Sequence, residues 1–246
     1  MDSLIKPFFS LLLFFFSSLL FGVASSNQHH LYGPEKLFVF GDSYADTGNI
    51  KKPHAVSWRV PYGISFPGKP PGRFSDGLVS TDFLAILLRI QSPIPYLWKD
   101  YAGNKRLRYG MNFAYGGTGV FNTQSSSPNM SIQIKYAGAW SNSQVVAKLN
   151  NETNHSAFAI IDFYNAFLTI FKNKGENPGS TRFETPLKPC CEGSCANVDE
   201  KGEKKYSLCD DPKSAFFWDG LHPTQQGWES VYSVLGKTLT ASLIKP

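Results

Sequence analysis

The feature that most constrains this chain is a short run with no polar residue, Leu37-Phe38-Val39-Phe40, which stops at Gly41-Asp42-Ser43. A run that brief and apolar on both alternating faces suits a strand covered on both sides, as in a parallel sheet under helices. Arg108 to Ala114 reads as a second strand leading into Tyr115-Gly116-Gly117-Thr118-Gly119, and Phe158 to Asp162 as a third. Helical spacing of apolar residues appears at Val79, Phe83, Ile86, Leu87 and Ile90 within Leu78 to Ile90. It appears again from Tyr164 to Lys172, and along Trp228, Val231, Leu235, Leu239 and Leu243 within Thr224 to Leu243. Strands alternating with helices predict an α/β fold with a mostly parallel sheet. Pro53 to Asp76, rich in Pro, Gly and aromatics, reads as a long surface loop, and residues 173 to 213 as a polar, cysteine-bearing one. No internal repeat is evident.

The first residues bear on compartment. Lys6 precedes a run of Phe, Leu and Ser from Phe8 to Phe21, and Gly22 and Ala24 stand three and one positions before a cut after Ala24. This is the layout of a secretory signal over residues 1–24, with 25–246 as a single domain. A membrane anchor normally needs about 20 apolar residues, more than this run offers. A secreted, extracellular protein without stable membrane insertion is therefore expected. Its four cysteines, Cys190, Cys191, Cys195 and Cys209, fit that address: an even count in a secreted chain suggests two disulfides, with three pairings open. Adjacent cysteines chelate poorly and no histidine lies between Ser156 and Leu221, which argues against zinc. Asn129, Asn151 and Asn154 begin Asn-x-Ser/Thr triplets and are glycosylation candidates.

With 15% aromatic and 17% charged residues, wholesale disorder is excluded. The net charge of +5 is spread over short groups such as Lys51-Lys52 and Lys204-Lys205. A nucleic-acid partner needs a basic stripe, and none is visible.

Three constellations can carry chemistry. Ser43 follows the end of the first strand, the edge of a parallel sheet where ligands bind; an ordinary strand-to-helix turn capped by Asp42 or Ser43 would look the same. Trp218-Asp219-Gly220-Leu221-His222-Pro223-Thr224 holds the one histidine with a carboxylate three residues away in a short turn feeding a helix. A serine hydroxyl becomes a useful nucleophile when an imidazole takes its proton, and the imidazole needs a carboxylate to hold its tautomer. A plain capping turn is the alternative there. Gly116-Gly117 lets backbone N–H groups approach an oxyanion, or is a plain glycine turn. No Gly-Lys-Ser/Thr follows it, so a phosphate loop is excluded.

Taken together, "FVFGDSYADTGN" at 38–49, "PPGRFSDG" at 70–77, "NFAYGGTG" at 112–119 and "FFWDGLHPT" at 216–224 resemble the plant GDSL esterase/lipases of the SGNH hydrolase superfamily, over nearly all of the chain past the signal. The resemblance implies a flavodoxin-like three-layer α/β sandwich with a mostly parallel sheet. It maps the nucleophile to Ser43, the rest of the triad to Asp219 and His222, and the oxyanion-hole donors to Ser43 and Gly116, with Gly117 as the neighbouring choice. It also implies a gap. The family's Gly-x-Asn-Asp block, whose asparagine is a further oxyanion donor, has no counterpart. The sequence passes from "NMSIQIKYAG" almost directly to "QVVAKLNNET". About a hundred residues of the family pattern are missing there, including what should be two central strands. The expected activity is hydrolysis of carboxylic esters, on lipid or other acyl esters, through an acyl-enzyme, with a small ester as partner and no metal or cofactor. The alternative is a weak or inactive secreted remnant that binds acyl or carbohydrate ligands.

Overall fold

The computed structural model describes residues 34–123, 126–140, 161–172 and 183–243. Strands β1 (Leu37–Val39), β2 (Ile94–Pro95) and β3 (Gly110–Asn112) form a parallel sheet in the order β1-β3-β2. Helices α1 (Ser80–Leu87), α2 (Asn104–Leu107), α3 (Met130–Trp140), α4 (Phe163–Lys172) and α5 (Gln225–Leu243) complete an α/β architecture. The middle strand β3 is buried throughout, whereas β1, at one edge of the described sheet, is only half-buried. The wholly apolar run of β1 therefore overstated its burial.

The contact between β1 and β3 is set by a glycine. Gly110 has φ +96°, and a Cβ there would run into the Leu37 carbonyl oxygen, so the strands meet in this register only without a side chain. The pairing continues past the formal strand ends: Phe113 N–H donates to Val39 at 2.7 Å and Tyr115 N–H to Gly41 at 3.0 Å. Thus the ladder delivers the segments after β1 and β3 side by side.

Helix α1 begins where Asp82 accepts the Val79 N–H at 3.0 Å. The same buried carboxylate takes a two-pronged contact from Arg73 at 2.7 and 2.8 Å and the Ser92 hydroxyl at 2.7 Å. Burial raises the Asp82 carboxyl, but Arg73 and these donors outweigh it and hold it below its ordinary value. Trp228, Val231, Leu235 and Leu239 of α5 are buried, as their spacing predicts, and pack with Ala166 and Ile170 of α4. Phe216 ties this cluster together, 5.0 Å from Phe167 and 4.8 Å from Phe171 by ring centroids.

Several sequence expectations need correcting. The strand read over Arg108 to Ala114 shrinks to Gly110–Asn112, because the turn of α2 continues to Arg108, whose N–H reaches Asn104 at 3.2 Å. Of the strand read over Phe158 to Asp162, residues 158–160 lie outside the described residues. Asp162 caps α4 instead, accepting the Asn165 N–H at 3.0 Å. Pro53 to Asp76 is not merely a surface loop, since Ser57, Tyr62, Ser75 and Asp76 within it are buried. The cysteine segment read as loop holds an antiparallel hairpin, β4 (Cys191–Val198) and β5 (Lys204–Leu208). Its strands are mostly exposed and lack apolar alternation, so hydrophobic pattern could not reveal them.

The structure links Cys190 to Cys209 and Cys191 to Cys195. The hairpin also grips the following segment: the N–H groups of Cys190 and Cys191 donate to Phe217 and Trp218 at 2.9 and 2.7 Å. The Cys190–Cys209 bond spans 19 residues. Replacing both cysteines by serine should cost about 3 kcal/mol, read as a lower urea midpoint with a somewhat steeper slope as the unfolded chain is freed. An unchanged midpoint would show that the link adds nothing to the hairpin.

Candidate active site

Ser43 and His222 lie 179 residues apart in sequence and meet at 2.8 Å, Oγ to Nε2, with side chains nearly buried. His222 Nδ1 lies 2.9 Å from both carboxylate oxygens of Asp219. With its Nδ1 proton directed at Asp219, the imidazole offers Nε2 to the serine hydroxyl as acceptor. The chain Ser43–His222–Asp219 can therefore draw a proton from the serine and hold it.

Local structure explains the meeting. Gly41-Asp42-Ser43 leaves β1 through a tight turn in which Ala45 and Asp46 N–H groups return to the Asp42 carbonyl at 3.1 and 2.9 Å. The Asp219–His222 turn is closed by the Trp218 N–H on the His222 carbonyl at 2.7 Å and the Thr224 N–H on Phe216 at 2.8 Å. Asp219 Oδ1 accepts the Leu221 and His222 N–H groups, each at 2.9 Å. Burial raises the Asp219 carboxyl, but the hydrogen bond and charge of His222 and these backbone donors outweigh it and lower it below its usual range. Phe74 stacks on the His222 ring at 5.0 Å and Tyr44 stands edge-on at 6.1 Å, its hydroxyl on the Leu221 carbonyl at 2.9 Å.

The expected donor Gly116 is corrected by the structure. Its N–H donates to Asp46 Oδ2 at 3.0 Å and so is not turned toward a substrate. The next residue, Gly117, has φ +77°, is exposed, and makes no backbone hydrogen bond with its N–H among the described residues. The Ser43 N–H likewise has no partner among them. Among the described residues, the buried asparagine amides beside β3 are already engaged. The Asn49 amide is spent on the Asn112 and Ala114 carbonyls at 2.9 and 2.8 Å, and that of Asn112 on Ala45 and Thr47 at 2.7 and 3.0 Å. Asn165, the other asparagine following an apolar stretch, is exposed and bound to Asp162.

Two buried side chains missed by sequence reasoning fix the two loops. Asp46 accepts the Gly48 and Asn49 N–H groups at 2.7 Å and Gly116 on its other oxygen. Gln133 of α3 is wholly buried; it accepts the Gly41 N–H and donates to the Gly41 carbonyl, both at 2.9 Å. Its neighbours Ile132 and Ile134 are exposed, the reverse of the usual pattern, so no sequence signal marked it. Of the sequon residues, Asn129 is half-buried and caps α3, accepting the Ile132 N–H at 3.1 Å; Asn151 and Asn154 lie outside the described residues. Among the described residues, no helix is long and apolar enough to cross a membrane.

With this geometry in view, the comparisons with known proteins are specific. The model of the GDSL-like lipase/acylhydrolase family matches residues 37–145. A GDSL esterase/lipase of Arabidopsis thaliana is 51% identical over 358 aligned positions, covering 100% of both chains. A second from that plant is 43% identical over 347 positions, 96% of this chain and 98% of its own. Acetylajmalan esterase 2 of Rauvolfia serpentina is 40% identical over 110 residues, 42% of this chain and 29% of its own. The chain belongs to the GDSL esterase/lipase family and is a hydrolase acting on ester bonds. Since the first alignment runs over 358 positions against 246 residues here, at least 112 of its positions have no counterpart in this chain.

Burial raises the Asp46 carboxyl from 3.8 to about 6 against the pull of the Asn49, Gly48 and Gly116 N–H groups. A carboxyl raised on folding contributes stability that is full below its unfolded value and lost as pH rises through the folded one. Relative to Asp46→Asn, the protein should therefore lose about 2 kcal/mol between pH 4 and pH 7. Urea unfolding of both proteins across that range checks this, and parallel stability curves would refute it.

Proposed function

We propose that this chain is a secreted serine ester hydrolase working through Ser43, His222 and Asp219. The observation that carries this reading is the hydrogen-bonded line from Ser43 Oγ through His222 to Asp219. Ser43 Oγ attacks the ester carbonyl carbon while His222 Nε2 takes its proton, giving a tetrahedral oxyanion. His222 then returns that proton to the departing alcohol oxygen as the C–O bond breaks, leaving an acyl group on Ser43. Water, deprotonated by His222, attacks the acyl carbon; the serine leaves with the proton and the carboxylic acid departs. Asp219 stays ionised throughout and stabilises the imidazolium. The N–H groups of Ser43 and Gly117 are the donors for the oxyanion, Gly116 being engaged by Asp46.

Residues 1–24 act as the secretory signal in this reading, 25–246 as one hydrolase domain, and secreted material should begin near Ser25. The alternative, a weak or inactive remnant that binds acyl or carbohydrate ligands, draws support from the positions without counterpart and from the committed asparagines. Losing one side-chain oxyanion donor costs on the order of 10²- to 10³-fold in rate. Turnover of p-nitrophenyl acetate should thus be at least about 10²-fold below that of a full-length relative. Covalent labelling by a fluorophosphonate, with Ser43→Ala as control, tests the nucleophile. Labelling confined to the protein with Ser43 is expected; equal labelling of both would sink the assignment.

A further inference from the structure

Asp219 has a donor that the local turn does not supply. Tyr62, 157 residues away in sequence, donates its hydroxyl to Asp219 Oδ2 at 2.8 Å. The Tyr62 side chain is buried, edge-on to Trp218 at 6.0 Å and to Phe74 at 6.3 Å. Phe74 in turn stacks on the His222 ring. Packing alone asks only for a ring at this place, and phenylalanine would fill it. A buried hydroxyl aimed at one carboxylate oxygen is a polar group with a single evident use.

We propose that Tyr62 is a positioning residue for ester hydrolysis: its hydroxyl holds the Asp219 carboxylate in place and sets how much of that charge reaches His222. The inference rests on the Ser43–His222–Asp219 reading and deepens it. A donor on Oδ2 withdraws charge that would otherwise stabilise the imidazolium. Burial, then the charge and hydrogen bond of Asp219, push the phenol well above its ordinary value, so Tyr62 remains a donor wherever the base titrates. Among the described residues, the other titratable groups facing Asp219 are His222 and Tyr44, whose hydroxyl is held by the Leu221 carbonyl.

The test uses the second-order rate of Ser43 labelling by a fluorophosphonate as a function of pH, with thermal unfolding recorded alongside. Tyr62→Phe should move the acidic limb of the profile up by roughly half a pH unit and lower the plateau by up to about tenfold. Placing 3-fluorotyrosine at position 62, a stronger donor of nearly the same shape, should move that limb down. A role in packing alone cannot give shifts of opposite sign. Should Tyr62→Phe fail to fold, the fluorinated protein decides alone. An unmoved limb in the folded variants, with labelling still dependent on Ser43, overturns the role of Tyr62 and leaves the nucleophile standing. Labelling that does not depend on Ser43 overturns both.

Discussion

The hydrogen-bond ladder between β1 and β3, carried two bonds beyond the strands, is the constraint on which the rest depends. Phe113 and Tyr115 donate to Val39 and Gly41, so the turn bearing Ser43 and the turn bearing Gly116-Gly117 emerge in register at one end of the sheet. Asp46 then bridges them, taking N–H groups from its own turn and from Gly116. Burying a carboxylate is costly, and the raised Asp46 shows the cost. Three backbone donors offset it, and in return two loops far apart in sequence share one rigid anchor.

The second half of the site is built differently. The Asp219–His222 turn does not follow a strand of the β1-β3-β2 sheet; it is gripped from one side by the disulfide-linked hairpin and from another by aromatic rings. Cys190 and Cys191 bind the carbonyls just before Asp219, while Phe74 and Tyr44 confine the imidazole. Helix α5 starts directly after this turn, with Trp228 against Tyr44 at 5.2 Å. A side chain from the serine's own turn thus touches both the imidazole and the helix that follows it. The distance between Ser43 and His222 is consequently fixed by packing as well as by their mutual hydrogen bond.

How far the sequence foretold this depends on the kind of interaction involved. That Ser43, Asp219 and His222 come together was legible because each stands in a short turn whose residue types mark it out. Helices α4 and α5 were legible because an apolar stripe is what buries a helix against a neighbour. The hairpin was not, since disulfides and polar backbone pairing leave no hydrophobic period. Helix α3 was not, because its buried position is a glutamine between two exposed isoleucines. Tyr62 was hidden in a Pro- and Gly-rich stretch whose composition resembles a surface loop. Gly116 was misassigned because a glycine motif shows where a backbone can approach closely and not which N–H group is already taken.

Gln133 shows what side chains can and cannot replace in a chain with so many aligned positions unfilled. Its amide meets the N–H and the carbonyl of Gly41 as a neighbouring strand would, at the point where the ladder from β3 reaches its end. It also donates to the Pro128 carbonyl, which locks the amide in one orientation. One side chain can therefore satisfy the backbone on which Ser43 depends, since a primary amide carries the same donor and acceptor as a peptide group. An oxyanion donor is a harder loss to make good. It must point at a place empty of protein in the resting state, and the Asn49 and Asn112 amides beside β3 are already spent on backbone carbonyls and the Thr47 hydroxyl. Among the described residues, the same satisfaction of polar groups that holds Ser43 in place leaves no buried asparagine amide beside β3 free for such a role.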